Sequence, residues 1–155
     1  MHYALCNPAE RGFSLLELLV VFLLLALSSA LVLPAVDRGL KERELKQSAL
    51  ELAAVARDLR RRAVYENSVQ RLTFDLSESS YEALDGNKVI LSPDLKITRM
   101  EGGEPVGDGL RQFLFFPNGS IFGGEIGISG HGGSGYIIRL EPLTGKVVVQ
   151  RGSEK

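Results

Sequence analysis

A long apolar run near the start of the chain constrains its fold more than any other feature. Residues 13–33 contain only four polar side chains, those of Ser14, Glu17, Ser28 and Ser29. About 20 mostly apolar residues are enough to cross the hydrocarbon core of a bilayer. There the backbone must satisfy its own hydrogen bonds and therefore forms a helix. The run predicts a transmembrane helix at residues 13–36, preceded by a short polar leader at residues 1–12.

Two other interpretations of the run agree less well with the sequence. A core helix of a soluble protein seldom stays apolar on all sides for this length. A secretory signal peptide places ~7–15 apolar residues before a small-residue cleavage site, and Pro34-Ala35-Val36 is a poor site of that kind. The run also continues directly into a charged helical segment, which indicates that it is retained.

Glu17 is the only charged residue within the run. A carboxylate at the centre of a spanning helix costs roughly 2.5–3.5 kcal/mol on insertion scales, and less near the end of the span, where the side chain can reach the interface. The other interpretation is a cationic partner. If the chain were cut after Gly12, the new amine of Phe13 would lie four residues before Glu17. Such charges attract strongly at low dielectric, but the attraction must offset their desolvation.

The segment GFSLLELLVV resembles the class III signal of type IV pilins and type II secretion pseudopilins. The resemblance implies that a prepilin peptidase cuts after Gly12 on the cytoplasmic face and methylates the amine of Phe13. It also implies that Glu17 meets the amino terminus of a neighbouring subunit during assembly. Pro34 falls where many pilins have a helix-kinking proline, and its missing N–H and ring clash explain a kink.

The resemblance implies a single-pass protein of the bacterial inner membrane with its carboxy-terminal head in the periplasm. The distribution of cations indicates the opposite orientation. Arg11 is the only Lys or Arg before the span, whereas Arg38, Lys41 and Arg43 follow it, and cations favour the cytoplasmic side. We base the expected orientation on the pilin-like signal.

Residues 37–66 predict an amphipathic helix that continues into the head. Its apolar positions are spaced at alternating intervals of four and three, at Leu45, Ala49, Leu52, Ala56, Leu59 and Ala63. That spacing places one stripe on one helix face. The stripe is expected to pack on the head's own sheet, although a short coiled-coil seam is the alternative. The run Arg60-Arg61-Arg62 is interpreted as a solvated face near the negative end of the helix dipole, with partner or lipid binding as the alternative.

In residues 67–155, apolar and polar residues alternate with the two-residue period of β-strands. Strands are predicted at residues 69–76, 81–84, 89–91, 96–100, 110–116, 125–128, 136–140 and 146–150. Residues 101–109 are predicted as a polar loop, and the aromatic stretch 110–116 as a central strand. The predicted fold class is α+β, with a long amino-terminal helix packed on an antiparallel head of two small sheets.

No pattern in the sequence predicts catalysis, a metal site or a cofactor. The glycine-rich residues 130–135 match G-x-G-x-x-G, but a strand follows them where a dinucleotide site requires a helix. His131 lies there without a partner spacing typical of catalysis. Asp75, Asp85, Asp94 and Asp108 are too scattered for a calcium loop. An enzyme anchored by an amino-terminal helix is therefore disfavoured.

The segments FLFFPNGSIFGGEIGIS and YIIRLEPLTGKVVV resemble the GspH/FimT group of minor pseudopilins. The resemblance implies a structural subunit of a periplasmic type II secretion filament that drives export of folded proteins. Its expected partners are other pseudopilins, the prepilin peptidase and methyltransferase, and the inner membrane. The alternative is a FimT-like minor pilin of a type IV pilus, with DNA binding in uptake. That alternative requires a basic patch, and the last 20 residues offer only four Lys or Arg, Arg139, Lys146, Arg151 and Lys155.

Overall fold

A computed structural model of the protein describes residues 12–83, 86–130 and 133–153. Helix α1 runs without interruption from Leu15 to Tyr65. The chain divides into two compact units, one ending at Arg38 and the other beginning at Gly39. In its described part, the first unit consists of residues 12–38 and contains the beginning of α1. The second unit contains the remainder of α1 and all the described strands.

The described part of the second unit has nine strands. They are β1 (Gln70–Asp75), β2 (Ser80–Ala83), β3 (Lys88–Ile90), β4 (Lys96–Gly102), β5 (Glu104–Gly107), β6 (Leu110–Phe115), β7 (Gly124–Ser129), β8 (Ser134–Leu140) and β9 (Val147–Ser153). Sheet A has the order β3-β2-β1-β6-β5, and sheet B has the order β4-β7-β8-β9. Every strand pairing is antiparallel. The predicted head of two small antiparallel sheets is confirmed.

The predicted stripe on α1 forms one side of the hydrophobic core. Its six residues, Leu45 to Ala63 at the predicted spacing, are each at most 3% exposed. They pack in one cluster with strand side chains that include Phe74, Phe113 and Phe115. The alanines of the stripe are small and let the helix approach the sheets closely. The stripe is therefore covered by the head of the same chain, as predicted, and is not a coiled-coil seam.

Aromatic side chains fill the core beneath the centre of sheet A. The rings of Phe74 and Phe113 meet edge to face with centroids 5.6 Å apart, a preferred arrangement for aromatic pairs. Tyr81 on β2 lies directly opposite Phe74 on β1, with the ring centroids 6.0 Å apart. Strand β6 is an interior strand, but β1 occupies the centre of the five-stranded sheet. The strand predicted as central at residues 110–116 is therefore an interior strand of the sheet but not its middle strand.

The prediction of a loop at residues 101–109 is wrong. Strand β4 extends through Gly102, and β5 follows at Glu104–Gly107. Gly102 and Gly103, both with positive φ, make the bend between them, a conformation that glycine adopts without steric cost. All four residues of β5 are exposed, so backbone pairing to β6 holds this edge strand. The sequence therefore contains no alternation of apolar and polar residues that would have predicted this strand.

The glycine-rich stretch around residues 123–135 allows neighbouring strands to approach closely. A Cβ atom on Gly123 would collide with the carbonyl oxygen of Leu140, and one on Gly124 with that of Glu101. Gly127 faces Arg99 in the same way, with Arg99 Cβ 2.9 Å from the position a side chain would take. Glycine is needed here because β7 is packed between backbones on both sides. His131 lies outside the described residues.

Arg60 differs from the solvated cation that the sequence predicted. Its Nε donates to the carbonyl oxygen of Gly119 at 2.9 Å, and a terminal nitrogen donates to that of Thr144 at 3.1 Å. Gly119 lies in the turn after β6, and Thr144 lies in the turn between β8 and β9. One guanidinium therefore joins α1 to turns of both sheets. Arg61 and Arg62, by contrast, pair with Asp58 on the helix itself.

We predict that Arg60→Ala lowers the free energy of unfolding by about 1.5–3 kcal/mol, because two turn carbonyls lose a charged donor. Urea denaturation of the full chain in detergent, followed by near-UV circular dichroism of the buried aromatics, measures this change. Arg61→Ala is the matched control. The Arg61 side chain is 79% exposed, and loss of an exposed ion pair costs about 1 kcal/mol or less. Equal effects of the two substitutions would contradict the assigned role of Arg60.

Candidate functional site

The predicted processing site lies immediately before helix α1. Residues 12–14 are not helical, and the helix begins at Leu15. Ser14 caps it, since its Oγ accepts a hydrogen bond from the backbone N–H of Leu16 at 3.3 Å, as is typical of serine at a helix start. The bond between Gly12 and Phe13 therefore lies outside the helix, and an enzyme could bind it without unwinding α1.

The fold itself does not explain the glycine at position 12. A Cβ atom added to Gly12 would have no heavy atom within 4 Å. Gly12 is also absent from the glycines with positive φ, so its backbone conformation is open to other residues. Neither space nor backbone strain in the described structure requires glycine at position 12. A requirement for glycine would therefore come from another molecule that binds this segment.

Glu17 lies in the first turn of α1. A carboxylate at this end of a helix gains about 0.3–1 kcal/mol from the helix dipole. The spacing Ser14-Leu15-Leu16-Glu17 also matches the capping box, in which serine caps the helix and glutamate three residues later reaches back. Our sequence analysis missed the serine cap, which is the part of this pattern that the structure forms. Within the described residues, the Glu17 side chain has no ion pair and no hydrogen bond, including to Phe13.

The first unit exposes the apolar side chains of its helix. Phe13 is 76% exposed, Leu15 is 87% exposed, and large apolar side chains remain exposed as far as Val36. A continuous apolar surface of this extent marks contact with a membrane or with other protein. No helix of the described residues combines the length and the hydropathy that qualify a segment as membrane-spanning. The transmembrane assignment of residues 13–36 stays a prediction.

Pro34 lies within α1, which is helical on both sides of it. The kink predicted at Pro34 stays a prediction. The four predicted site residues therefore fall into two places along the chain. Gly12, Phe13 and Glu17 lie together at the start of α1, and Pro34 lies about five turns further along the helix, at about 3.6 residues per turn.

The described residues offer no alternative site for metal chemistry. Across residues 12–83, 86–130 and 133–153, no three His, Cys, Asp or Glu side chains are grouped so that they could bind a metal ion. Asp75, one of the scattered aspartates, instead accepts bonds from the backbone N–H groups of Ser77 and Glu78. Hydrogen bonds, first that of the Ser77 hydroxyl, lower the pKa of Asp75. This carboxylate stabilises a turn.

Comparison with known proteins agrees with the amino-terminal motif. The profile of the prokaryotic N-terminal methylation motif matches residues 7–33. Type II secretion system protein H of Xanthomonas campestris pv. campestris is 31% identical to this chain over 121 residues. The alignment covers 77% of this chain and 71% of that protein.

Two solved structures of the minor pseudopilin EpsH, from the type II secretion system of Vibrio cholerae, share the fold. Their TM-scores are 0.59 and 0.58, at 16% and 14% sequence identity. They cover 72% and 75% of this chain, and 99% of each of those chains is matched. Sequence and fold together confirm the predicted resemblance to the GspH/FimT group, and they favour secretion over the type IV pilus. The chain belongs to the family of type II secretion system protein H and is a minor pseudopilin of type II secretion.

Proposed function

We propose that this chain is made as a precursor, cut between Gly12 and Phe13 by a prepilin peptidase, and methylated at the new amine. The match to the N-terminal methylation motif spans this bond. The position of the bond outside α1 and the open space around Gly12 support the proposal, because the fold leaves the site accessible.

Residues 13–36 of the mature chain anchor it in the bacterial inner membrane as a single span, with the head in the periplasm. Support comes from the exposed apolar side chains of the first unit. In water such a surface would be unstable, since burial of apolar area contributes about 25 cal/mol per Å². Lipid, and the corresponding helices of other pseudopilins, would cover it.

Glu17 pairs with the amine of Phe13 on a neighbouring subunit during assembly. The observation that carries this proposal is one carboxylate, unpaired within the described residues, on a helix whose other exposed side chains nearby are apolar. A lone charge in such surroundings is costly, and a cation from another subunit lowers that cost. Methylation keeps the amine cationic, so it does not remove the attraction.

The assembled product is a periplasmic pseudopilus that helps to export folded proteins, and this chain is a structural subunit of it and not an enzyme. The relatives are a type II secretion system protein H and a minor pseudopilin of such a system. The DNA-binding alternative has little support from the head. Arg139 pairs with Glu125 at 2.7 Å, and Arg151 pairs with Glu42 at 2.6 Å. Two of the four cations expected to bind phosphate are thus already neutralised.

We predict that Gly12→Val abolishes processing without changing the fold, because the side chain enters open space. Intact mass spectrometry of the membrane-extracted protein, expressed with an active prepilin peptidase, would show a chain that keeps residues 1–12. The unaltered protein would start at methylated Phe13. Gly39→Val is the control, since Gly39 also faces open space. Efficient cleavage of the Gly12→Val chain, or an unaltered protein that begins at Met1, would contradict the proposed site.

We predict that Glu17→Gln lowers incorporation into pseudopili by about tenfold or more, because it leaves the partner ammonium uncompensated. Ser14 caps the helix without help from the Glu17 side chain, so the helix start should persist and membrane insertion should be normal. Co-purification with affinity-tagged pseudopilins measures incorporation.

Glu44→Gln is the matched control, because Glu44 is an exposed acid of the same helix beyond the apolar run. It should assemble normally. Normal incorporation of the Glu17→Gln chain would show that assembly does not need the charge of Glu17, and would overturn the proposed pairing.

A further inference from the structure

A groove of about 330 Å³ lies between α1 and the strands at one edge of sheet A. Its walls are mostly apolar. The helix contributes Ala54, Val55 and Leu59, and the strands contribute Tyr81, Ala83 and Val89. A cleft of this size has room for a few side chains but not for a folded element. All of these residues belong to the second unit, so the groove is a feature of the head.

One wall of the groove is a free strand edge. Strand β3 is the last strand of sheet A, and among the described residues it pairs only with β2. The N–H of Leu91 donates to the carbonyl of Ser79 at 3.1 Å. Bonded and non-bonded pairs alternate in an antiparallel ladder, so Val89 also bonds toward β2. The N–H and C=O groups of Lys88 and Ile90 therefore point to the open side.

The hydroxyl of Tyr81 is available at the groove. Tyr81 is only 4% exposed, and its hydroxyl makes no hydrogen bond with any described residue. No fully buried side-chain oxygen or nitrogen of the described residues lacks a partner, so this hydroxyl must retain access to solvent. Burial, and then the nearby charge of Glu51, raise the pKa of Tyr81. The group therefore stays protonated at neutral pH and can donate.

The charged residues of the groove compensate each other. Asp58 accepts a hydrogen bond from Arg62 at 2.7 Å and another from Arg61. The bond from Arg61 is the main cause of the lowered pKa of Asp58, so the carboxylate is ionised and already paired. The groove thus offers mostly apolar walls, the hydroxyl of Tyr81, the amide side chain of Asn87 and no uncompensated charge. The open main-chain groups of Lys88 and Ile90 flank the lining residue Val89. These features suit an uncharged occupant.

We propose that this groove binds an extended segment of a partner protein, which adds as a strand beside β3. Its alternate side chains, which are apolar, enter the space between β3 and α1. Addition of a strand to a sheet edge gives affinity through main-chain bonds and specificity through pockets for alternate side chains. The free edge, the apolar helical wall and the unpartnered hydroxyl lie together in one groove. This inference does not rest on cleavage at Gly12 or on the pairing of Glu17.

The test uses the full chain in detergent micelles and a fluorescein-labelled heptapeptide of alternating valine and threonine as the probe. Fluorescence anisotropy should show saturable binding with Kd on the order of 10–100 µM, since a short strand offers few main-chain bonds. A heptapeptide with lysine in place of valine should bind at least about tenfold more weakly, because the groove would have to bury charges.

Ile90→Pro separates strand addition from side-chain docking. Proline removes the N–H on the open side of β3 and leaves the ladder to β2 intact, so binding should weaken about tenfold. Ile90→Thr, the matched control, keeps that N–H. The Ile90 side chain is 67% exposed, so its shortening should change Kd no more than about threefold.

Two further variants test the walls of the groove. Ala54→Trp fills the groove from the helix and should abolish saturable binding. Leu50→Trp, at an exposed helical position outside the groove, should bind normally. Tyr81→Phe should weaken binding by about fivefold through loss of one hydrogen bond. Far-UV circular dichroism checks that each variant is folded.

Three outcomes would overturn the proposal. The first is no saturable binding up to about 1 mM peptide. The second is binding that neither Ile90→Pro nor Ala54→Trp weakens. The third is concentration-dependent dimerisation of the full chain, lost in Ala54→Trp, without peptide binding, which would assign the groove to a second copy of the chain.

Discussion

The burial of one stripe of leucine and alanine on α1 is the contact on which the head depends. Each sheet has an apolar inner face that would be unstable in water, and the helix covers these faces. Large side chains such as Leu52 and Phe113 belong to one core cluster there and have almost no exposed surface. The alternation of leucine with alanine matters because it combines apolar area with close approach. A stripe of leucine alone would hold the helix further from the strands.

The same helix has a different surface in the first unit, where apolar side chains are exposed and Glu17 is the only charged residue of the run at residues 13–36. The predictions for this unit came from local patterns in the sequence. A continuous apolar run, a glycine before it and one acid inside it are local patterns, and the processing and assembly residues inferred from them stay predictions. The capping role of Ser14 was equally local. It was missed because Glu17 was interpreted only through its charge.

The head shows where prediction from sequence ends. The stripe on α1 and most strands follow from periodicity, since burial on one face produces a regular pattern. Strand β5 has four exposed residues and therefore no pattern, and only backbone pairing with β6 defines it. Nothing in the sequence distinguishes Arg60 from its neighbours Arg61 and Arg62. Its contacts with Gly119 and Thr144 depend on turns that are far away along the chain. The groove beside β3 likewise depends on the order of strands in sheet A, which no local pattern specifies.

The contacts of Arg60 have a mechanical consequence for the head. The two carbonyls that it binds belong to turns of different sheets, so tension carried along α1 passes into the backbone of both. Apolar packing is non-directional, whereas the hydrogen bonds of a charged group favour a narrow range of distance and angle. Arg60 thus adds to the apolar packing a directional link between the second-unit part of α1 and both sheets, and Arg57, which donates to the carbonyl oxygen of Val147, adds another to sheet B.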